Sequence, residues 1–160
     1  LKLTIMGIIN FQGRRTNVQK KETEPILVSD YMSTKIISFK EEQPIEEVIE
    51  TLISNKISGG PVVNDKNELI GIISEGDCIK QISESRYYNL PIDQNNTVGK
   101  AMVREVETID GSMNIFDAAN KFLDSRRRRF PIVQNGKLVG QISQKDVLKA
   151  AMKLKGNTWK

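Results

Sequence analysis

Apolar residues in the first half of the chain follow a helical period in one stretch and form two continuous runs in the next. The helical stretch has its apolar face at Ile45, Val48, Ile49, Leu52 and Ile53. Pro44 suits the first position of that helix. The two continuous runs, 61–63 and 69–73, flank a polar turn at 64–67 and predict a strand pair. With a strand at 36–39 and a helix from Ser74, the predicted order is strand, helix, strand, strand, helix.

The same order returns about seventy residues later, so the chain contains an internal repeat. Residues 98–102 align with 28–32, and the second copy begins with a predicted strand at 106–109. Its turn, 134–137, contains the Asn-Gly pair that two-residue hairpins favour. Neither copy has enough strands to close a core, so a mixed α/β fold of two packed β-α-β-β-α repeats is predicted. The second helix has its apolar face at Ile115, Ala118, Ala119, Phe122 and Leu123.

The alignment also predicts the domain boundaries. Residues 81–96 are rich in Ser, Asn and Asp and are interpreted as the connection between the repeats. Residues 10–27 are interpreted as a loosely ordered segment that leads into the first repeat. The predicted boundaries are an N-terminal extension at 1–23, a first repeat at 24–90, a second repeat at 91–154 and a C-terminal tail at 155–160.

The sequence shows no targeting signal and has a single cysteine, and both features favour a cytoplasmic location. The apolar opening, residues 1–10, carries Lys2 and Gly7 and has no small-residue cleavage site, so it is not interpreted as a signal peptide. No apolar run approaches the roughly 20 residues of a membrane helix, so no membrane partner is expected. The single cysteine rules out an intrachain disulfide and fits a reducing compartment.

The charge of the chain indicates anionic partners and its residue types argue against catalysis. The formal charge is +4, which suits phosphate ligands, nucleic acid or acidic protein surfaces. The absence of histidine removes the commonest general base and the commonest transition-metal ligand. The sequence also lacks a Gly-rich phosphate loop with Lys, a nucleophile elbow and clustered metal ligands. No catalytic residue, metal or chemically active cofactor is therefore expected, and an enzyme is the least favoured hypothesis.

Two motifs that occur once in each repeat identify a known family. They are the strand Gly60–Val63, matched by Phe130–Val133, and the segment Leu69–Asp77, matched by Leu138–Asp146. Residues 24–154 resemble a tandem pair of CBS domains, named for cystathionine β-synthase, also called a Bateman module. The resemblance implies a pseudo-twofold pair of repeats with two clefts between them. Members of the family bind AMP, ADP, ATP or S-adenosylmethionine there, and often dimerise into a flat disc.

The Ser-x-x-Asp segments are the first candidate ligand contacts. The resemblance implies that Ser74 and Ser143 contact phosphate, while Asp77 and Asp146 accept hydrogen bonds from ribose hydroxyls. Each Ser opens a helix, where free N–H groups and the helix dipole favour an anion. A capping box, in which Ser and Asp bond to the backbone at the helix start, is the alternative interpretation.

The arginine run 126–129 is the second candidate. Arg128 and Arg129 lie three and two places before Pro131, where basic residues of the family reach phosphates, and a guanidinium binds phosphate oxygens bidentately. Their counterparts, Ser58 and Gly59, carry no charge, so unequal clefts are expected. The alternative is a solvated basic run at a helix end, above all for the first two arginines.

The resemblance also suggests walls for an adenine ring. Candidate wall residues are Ile36, Val106, Gly60, Pro61, Phe130 and Pro131. Plain core packing is the alternative for each of them, and Gly59 and Gly60 could serve only to let backbones approach closely. Cys78 aligns with Val147 and is expected to be buried rather than reactive.

The sequence as a whole predicts a sensor module that binds an adenine nucleotide and acts on a separate effector protein, as a homodimer. A nucleic-acid-binding protein is a second hypothesis, suggested by the charge, although no zinc finger, RNA-binding aromatic motif or helix-turn-helix is evident. A scaffold that dimerises and keeps its clefts empty is a third.

Overall fold

The computed structural model describes residues 24–87 and 96–158 of the chain. The extension 1–23, the connection residues 88–95 and Trp159 lie outside the described residues. The first repeat contains α1 (Val28–Tyr31), α2 (Ile45–Asn55), β1 (Gly59–Val63), β2 (Leu69–Ser74) and α3 (Glu75–Tyr87). The second contains α4 (Val98–Ala101), β3 (Ile109–Asp110), α5 (Ile115–Ser125), β4 (Arg129–Gln134), β5 (Lys137–Ser143) and α6 (Gln144–Thr158). The mixed fold of two repeats is therefore confirmed.

The helices differ from the prediction in three respects, two of them boundaries and one the exposure of a side chain. Pro44 has extended backbone, ψ 144°, and is the N-cap of α2 rather than its first helical residue. The residues expected to form the connection are helical as far as Tyr87, because Ser85 is buried and accepts a 3.3 Å hydrogen bond from Asn96. Ile53 and its counterpart Leu123, both expected on apolar faces, are 72% and 79% exposed.

Each repeat contributes an antiparallel strand pair, β1 with β2 and β4 with β5. The second hairpin turns through Asn135 and Gly136, at φ 51° and 76°, which is the left-handed pair that its Asn-Gly sequence predicts. The predicted first strands are much shorter than expected. Residues 36–39 contract to one parallel bridge, Phe39 to Val62, and residues 106–109 to the short strand β3 beside β4.

Two prolines explain why these first strands are short. Phe39 donates to the Pro61 carbonyl and accepts from Val63, both at 2.9 Å. The preceding rung of a parallel ladder would need an N–H at residue 61, which proline does not have. Pro131 stands at the same place beside β3. Each parallel ladder therefore stops at the proline, which is the third residue of β1 or β4.

The leading segment of each repeat packs into the core of the other repeat. Val28 belongs to the cluster formed by the second repeat, while Val98 and Met102 belong to the cluster formed by the first. Backbone hydrogen bonds fix both exchanges: Ile115 donates to Ile26 at 2.8 Å, and Ile45 donates to Asn96 at 2.9 Å. The two repeats are therefore interlocked rather than merely adjacent.

Candidate functional site

A cleft of about 250 Å³ lies between the two repeats. Residues 58–61 line one side and their counterparts 128–131 the other, so the cleft straddles the pseudo-twofold relation between the repeats. Residues 59–61 are the first three of β1, and residues 129–131 are the first three of β4. The starts of these two equivalent strands therefore place the lining residues. Of the predicted site residues, the cleft brings together Gly60, Pro61, Ser74, Arg128, Arg129, Phe130 and Pro131.

Close backbone approach explains the two glycines on the first side. A Cβ on Gly59 would lie 2.6 Å from the Ile73 carbonyl oxygen, and one on Gly60 would lie 2.7 Å from that of Ile37. Real side chains do not tolerate such distances to backbone, so these positions require glycine for packing. Gly59→Ala would therefore disturb the fold, and the uncharged cleft residue suited to a control substitution is Ser58.

The arginine run enters the cleft directly after α5. Arg126 ends the helix in a left-handed conformation, φ 55°, and does not line the cleft. Arg127 does line it, and its Nε lies 3.4 Å from Glu107 Oε2, an ion pair at the surface. Arg128 and Arg129 are exposed, and among the described residues no carboxylate lies within 4.0 Å of either guanidinium. The cleft rim therefore carries three cationic side chains. Two of them, Arg128 and Arg129, have no carboxylate partner among the described residues.

Both Ser-x-x-Asp segments form capping boxes. Ser74 donates to Asp77 Oδ2 from its backbone N at 2.9 Å and from its Oγ at 2.8 Å. The same two bonds join Ser143 to Asp146 at 2.8 and 3.0 Å. The capping interpretation thus accounts for the Ser-x-x-Asp spacing that the two repeats share. Every one of these bonds ends on Oδ2, so Oδ1 of each aspartate takes no part in the cap.

The two capping boxes differ in their relation to the cleft. Ser74 lines it, whereas Asp77, Ser143 and Asp146 do not. Asp77 is connected to the cleft only through its hydrogen bonds with Ser74. Ile36 and Val106 are half-buried in irregular segments and do not line it either. The ring of Phe130 is fully buried and packs 4.9 Å from that of Phe122, so core packing explains its apolar character.

Sequence reasoning left some lining residues without a binding role. Ile72 and Gln141 occupy equivalent positions on β2 and β5, each next to a fully buried Ile. The alternation of buried and half-buried residues along these strands was the available signal, because every second side chain must face away from the core. The remaining lining residues are Ser58, Gly59 and Arg127.

The described residues contain no group of three His, Cys, Asp or Glu side chains placed to hold a metal ion. Burial raises the pKa of the Cys78 thiol, and the nearby carboxylates of Asp77 and Glu75 raise it further. In residues 24–87 and 96–158, no helix is long and apolar enough to cross a bilayer.

The interlocked duplication and the shared cleft define a tandem-repeat domain pair. Residues 28–84 and 98–153 each match the CBS domain, and the chain belongs to this family. Its curated relatives include the uncharacterised protein MJ1225 of Methanocaldococcus jannaschii, 30% identical over 98% of this chain. The chain spans 56% of the length of MJ1225.

Solved structures of CBS pairs share the fold. CBSX2 of Arabidopsis thaliana, crystallised in complex with AMP, is 27% identical with a TM-score of 0.70 over 81% of this chain and 98% of that one. The CBS domain pair of protein MJ0100, crystallised with 5′-methylthioadenosine and S-adenosyl-L-methionine, is 23% identical with a TM-score of 0.65, over 82% and 99% of the two chains. At that identity the second likeness concerns the fold alone.

Proposed function

We propose that this chain is a regulatory module that binds an adenine nucleotide, AMP, ADP or ATP, in the cleft between its repeats. The observation that carries the proposal is the cleft rim, where Arg128, Arg129 and Ser74 line one space shared by both repeats. The AMP complex of the related CBSX2 supports the same ligand class. No catalytic role is proposed, and the ligand state would be passed to a separate effector protein in a reducing compartment such as the cytoplasm.

In this proposal the contacts of the phosphate group are better defined than those of the ribose. Guanidinium groups bind phosphate oxygens through two parallel N–H donors, and the first turn of α3 adds the positive end of a 13-residue helix. Asp77 would accept from a ribose hydroxyl through Oδ1 while Oδ2 keeps the cap. Asp146 remains the candidate at the pseudo-symmetric position, with Ser143.

Charge also ranks the candidate ligands. S-adenosylmethionine has a cationic sulfonium centre and no phosphate, so a rim that carries three arginines disfavours it relative to AMP or ATP. The proposed order of affinity therefore places nucleotides with phosphates above both adenosine and S-adenosylmethionine.

Removing the rim charge tests the proposal. The double variant Arg128→Ala, Arg129→Ala is expected to bind AMP and ATP at least about tenfold more weakly, since charged hydrogen bonds contribute about 1.5–3 kcal/mol each. Adenosine affinity should change little, because adenosine has no phosphate. Isothermal titration calorimetry measures all three ligands, and Ser58→Ala is the matched control within the cleft. Unchanged AMP and ATP affinity in the double variant would reduce the arginine run to a solvated surface.

Thermal unfolding provides a second measure. AMP at a hundred times its dissociation constant should stabilise the native state by about 2.7 kcal/mol. For a domain of this size, that corresponds to a rise of roughly 5–10 °C in Tm. A panel of AMP, ADP, ATP, S-adenosylmethionine, GTP and NAD ranks the ligands, and no shift with any of them would favour a scaffold with an empty cleft.

The exposed arginine run supports nucleic-acid binding as the second candidate function. All four arginines of residues 126–129 are exposed. Binding of that kind weakens steeply with salt, because counterions are released from the phosphate backbone. Titration of a DNA duplex at two salt concentrations separates it from nucleotide sensing: the second candidate requires tight binding at low salt and a steep loss at high salt.

We also propose that the chain self-associates as a homodimer. Its helices expose large apolar side chains in both repeats, among them Ile79 and Leu148. Contiguous exposed apolar surface on a small protein marks an interaction site.

A further inference from the structure

A carboxylate outside the cleft holds one of the three arginines that line its rim. Glu107 lies between two basic side chains: its Oε2 is 3.4 Å from Arg127 Nε, and its Oε1 is 3.8 Å from Lys121 Nζ. Arg127 lines the cleft, whereas Glu107 and Lys121 do not. Any effect of Glu107 on a bound ligand by direct contact therefore passes through Arg127.

The backbone of the arginine run is fixed independently of this ion pair. The Arg127 carbonyl accepts a 3.2 Å hydrogen bond from the side-chain amide of Gln144, and the Arg128 carbonyl accepts one of 3.2 Å from the Gln144 backbone N–H. Gln144 is the first residue of α6, so these bonds attach the run to the start of that helix. The side chain of Arg127 remains 45% exposed. Glu107 therefore influences where the guanidinium lies rather than the path of the chain.

The first repeat has no charged counterpart of this group. The residues aligned with Glu107, Lys121 and Arg127 are Ile37, Thr51 and Ile57. The two isoleucines are partly buried and pack against the core of the first repeat. The charged group thus occurs only in the repeat that carries the arginine run. Stability does not explain it well, because exposed ion pairs contribute little to the free energy of folding.

We propose that Glu107 sets how strongly the cleft favours ATP over AMP, by keeping Arg127 engaged in an ion pair. Arg128 and Arg129 have no carboxylate partner among the described residues, so they are available to a first phosphate. Arg127 becomes available to a second or third phosphate only when its ion pair is broken. This inference rests on the nucleotide binding proposed above and concerns a residue outside the cleft.

The charge of the phosphate chain makes the effect selective. A single phosphate offers few oxygens, and two guanidinium groups can bind them bidentately. The chain of ADP or ATP carries more oxygens and more negative charge, so it gains more from a third guanidinium. A carboxylate beside that guanidinium offsets its charge and repels the phosphates. Glu107 should therefore lower the affinity for ATP more than the affinity for AMP, and should leave adenosine unaffected.

Neutralising the carboxylate tests the inference. Glu107→Gln keeps the size of the side chain and removes its charge. We expect the affinity for ATP to rise about fivefold, the size of one exposed charge pair. The affinity for AMP should rise much less, and that for adenosine should not change. Isothermal titration calorimetry without divalent cations measures all three ligands in this variant and in the wild type.

Glu105→Gln is the matched control for the loss of one negative charge. Glu105 is exposed in the same segment and forms no ion pair with any described residue. This control should leave the ratio of ATP to AMP affinity close to that of the wild type. A purely structural role of Glu107 would instead lower the Tm of the ligand-free variant and weaken ATP and AMP alike.

A double-mutant cycle shows whether the effect passes through Arg127. In an Arg127→Ala background, Glu107→Gln should leave the ratio of ATP to AMP affinity unchanged. Persistence of the effect without Arg127 would show that the carboxylate acts through its long-range charge, and would overturn the proposal.

The remaining outcomes separate this inference from nucleotide binding itself. An unchanged ratio in Glu107→Gln, when the wild type binds both nucleotides, would refute the role of Glu107 and leave nucleotide binding intact. Weaker ATP binding in that variant would mean that the carboxylate holds Arg127 in its binding position, which also contradicts the proposal. A wild-type chain that binds neither nucleotide would refute nucleotide binding and this inference with it.

Discussion

At the scale of single residues, Cys78 shows how burial sets chemical behaviour. The thiol is 3% exposed within the core of the first repeat. Burial disfavours the thiolate, and the carboxylates of Asp77 and Glu75 oppose a second negative charge nearby, so the pKa of the thiol is raised. The expectation that this cysteine is a packing residue agrees with its position.

The raised pKa of Cys78 gives a prediction for alkaline pH. Below the ordinary thiol pKa of 9.0 both the native and the unfolded thiol are protonated, so pH has no effect through this group. Above it, the unfolded chain loses the proton while the native thiol keeps it. The free energy of unfolding should therefore fall as pH rises past about 9, and urea titrations from pH 8 to pH 10 measure this fall.

Cys78→Ala is the control, since it removes the titrating group. In that variant the part of the decline due to the thiol should disappear. Reaction of the wild-type thiol with a disulfide reagent at pH 8 should also be slow in buffer and fast in urea. Rapid labelling of the native protein would contradict the buried, protonated thiol.

At the scale of helices and strands, the sequence predicted the features that depend on neighbouring residues better than the features that depend on contacts between residues distant in the chain. The order of elements, the hairpin through Asn135 and the helix starts after Ser74 and Ser143 follow from local propensity, and the structure contains them. The first strands are short because Pro61 and Pro131 have no backbone N–H to offer them. The sequence alone could not predict this effect, because it does not show which strands lie beside the prolines. The exchange of α1 and α4 between cores could not be predicted, because periodicity identifies a buried face without identifying its partner.

The exchange predicts which fragment of the chain can fold. Residues 34–103 contain every buried residue of the first core, including Val98 and Met102, whereas residues 24–90 lack both. Full burial of a side chain of this kind contributes about 1.5–3 kcal/mol. We therefore expect fragment 34–103 to be clearly more stable than fragment 24–90, although the two are of similar length.

Circular dichroism during urea titration compares the two fragments. Fragment 24–90 should show little cooperative unfolding or should form swapped dimers, which analytical ultracentrifugation detects. A stable, monomeric fragment 24–90 would show that the exchanged segment is not needed to complete the first core.

At the scale of the whole molecule, the pseudo-twofold relation is broken at the cleft. The same capping box occurs in both repeats, yet only Ser74 of the two serines lines the cleft that the arginines of the second repeat enter. The repeated motif made Ser74 and Ser143 equal candidates for the site. The sequence could not predict that Ser74 would line the cleft and Ser143 would not, since that depends on how the two repeats pack.

The broken symmetry gives a matched pair of variants. Asp77→Asn and Asp146→Asn weaken the same cap in the two repeats, so similar losses of stability are expected. Ligand affinity should differ: Asp77→Asn is expected to weaken adenosine and AMP alike by about tenfold or more, because a charged acceptor for ribose is lost. Asp146→Asn should change both affinities much less. Calorimetric titration compares them, and equal effects would place the ribose symmetrically between the repeats.

The interlocked cores also constrain how such a chain can have arisen. A single repeat that begins at its own leading segment, such as residues 24–90, lacks the segment that completes its core, so in that frame it becomes self-sufficient only by taking the segment from a second chain. The simplest precursor is therefore a domain-swapped homodimer with exact twofold symmetry, and joining its two chains would convert exchange between molecules into exchange within one. Once joined, the two halves no longer had to be identical, and Ser58 and Gly59 could differ from Arg128 and Arg129 in a way that no symmetric dimer allows.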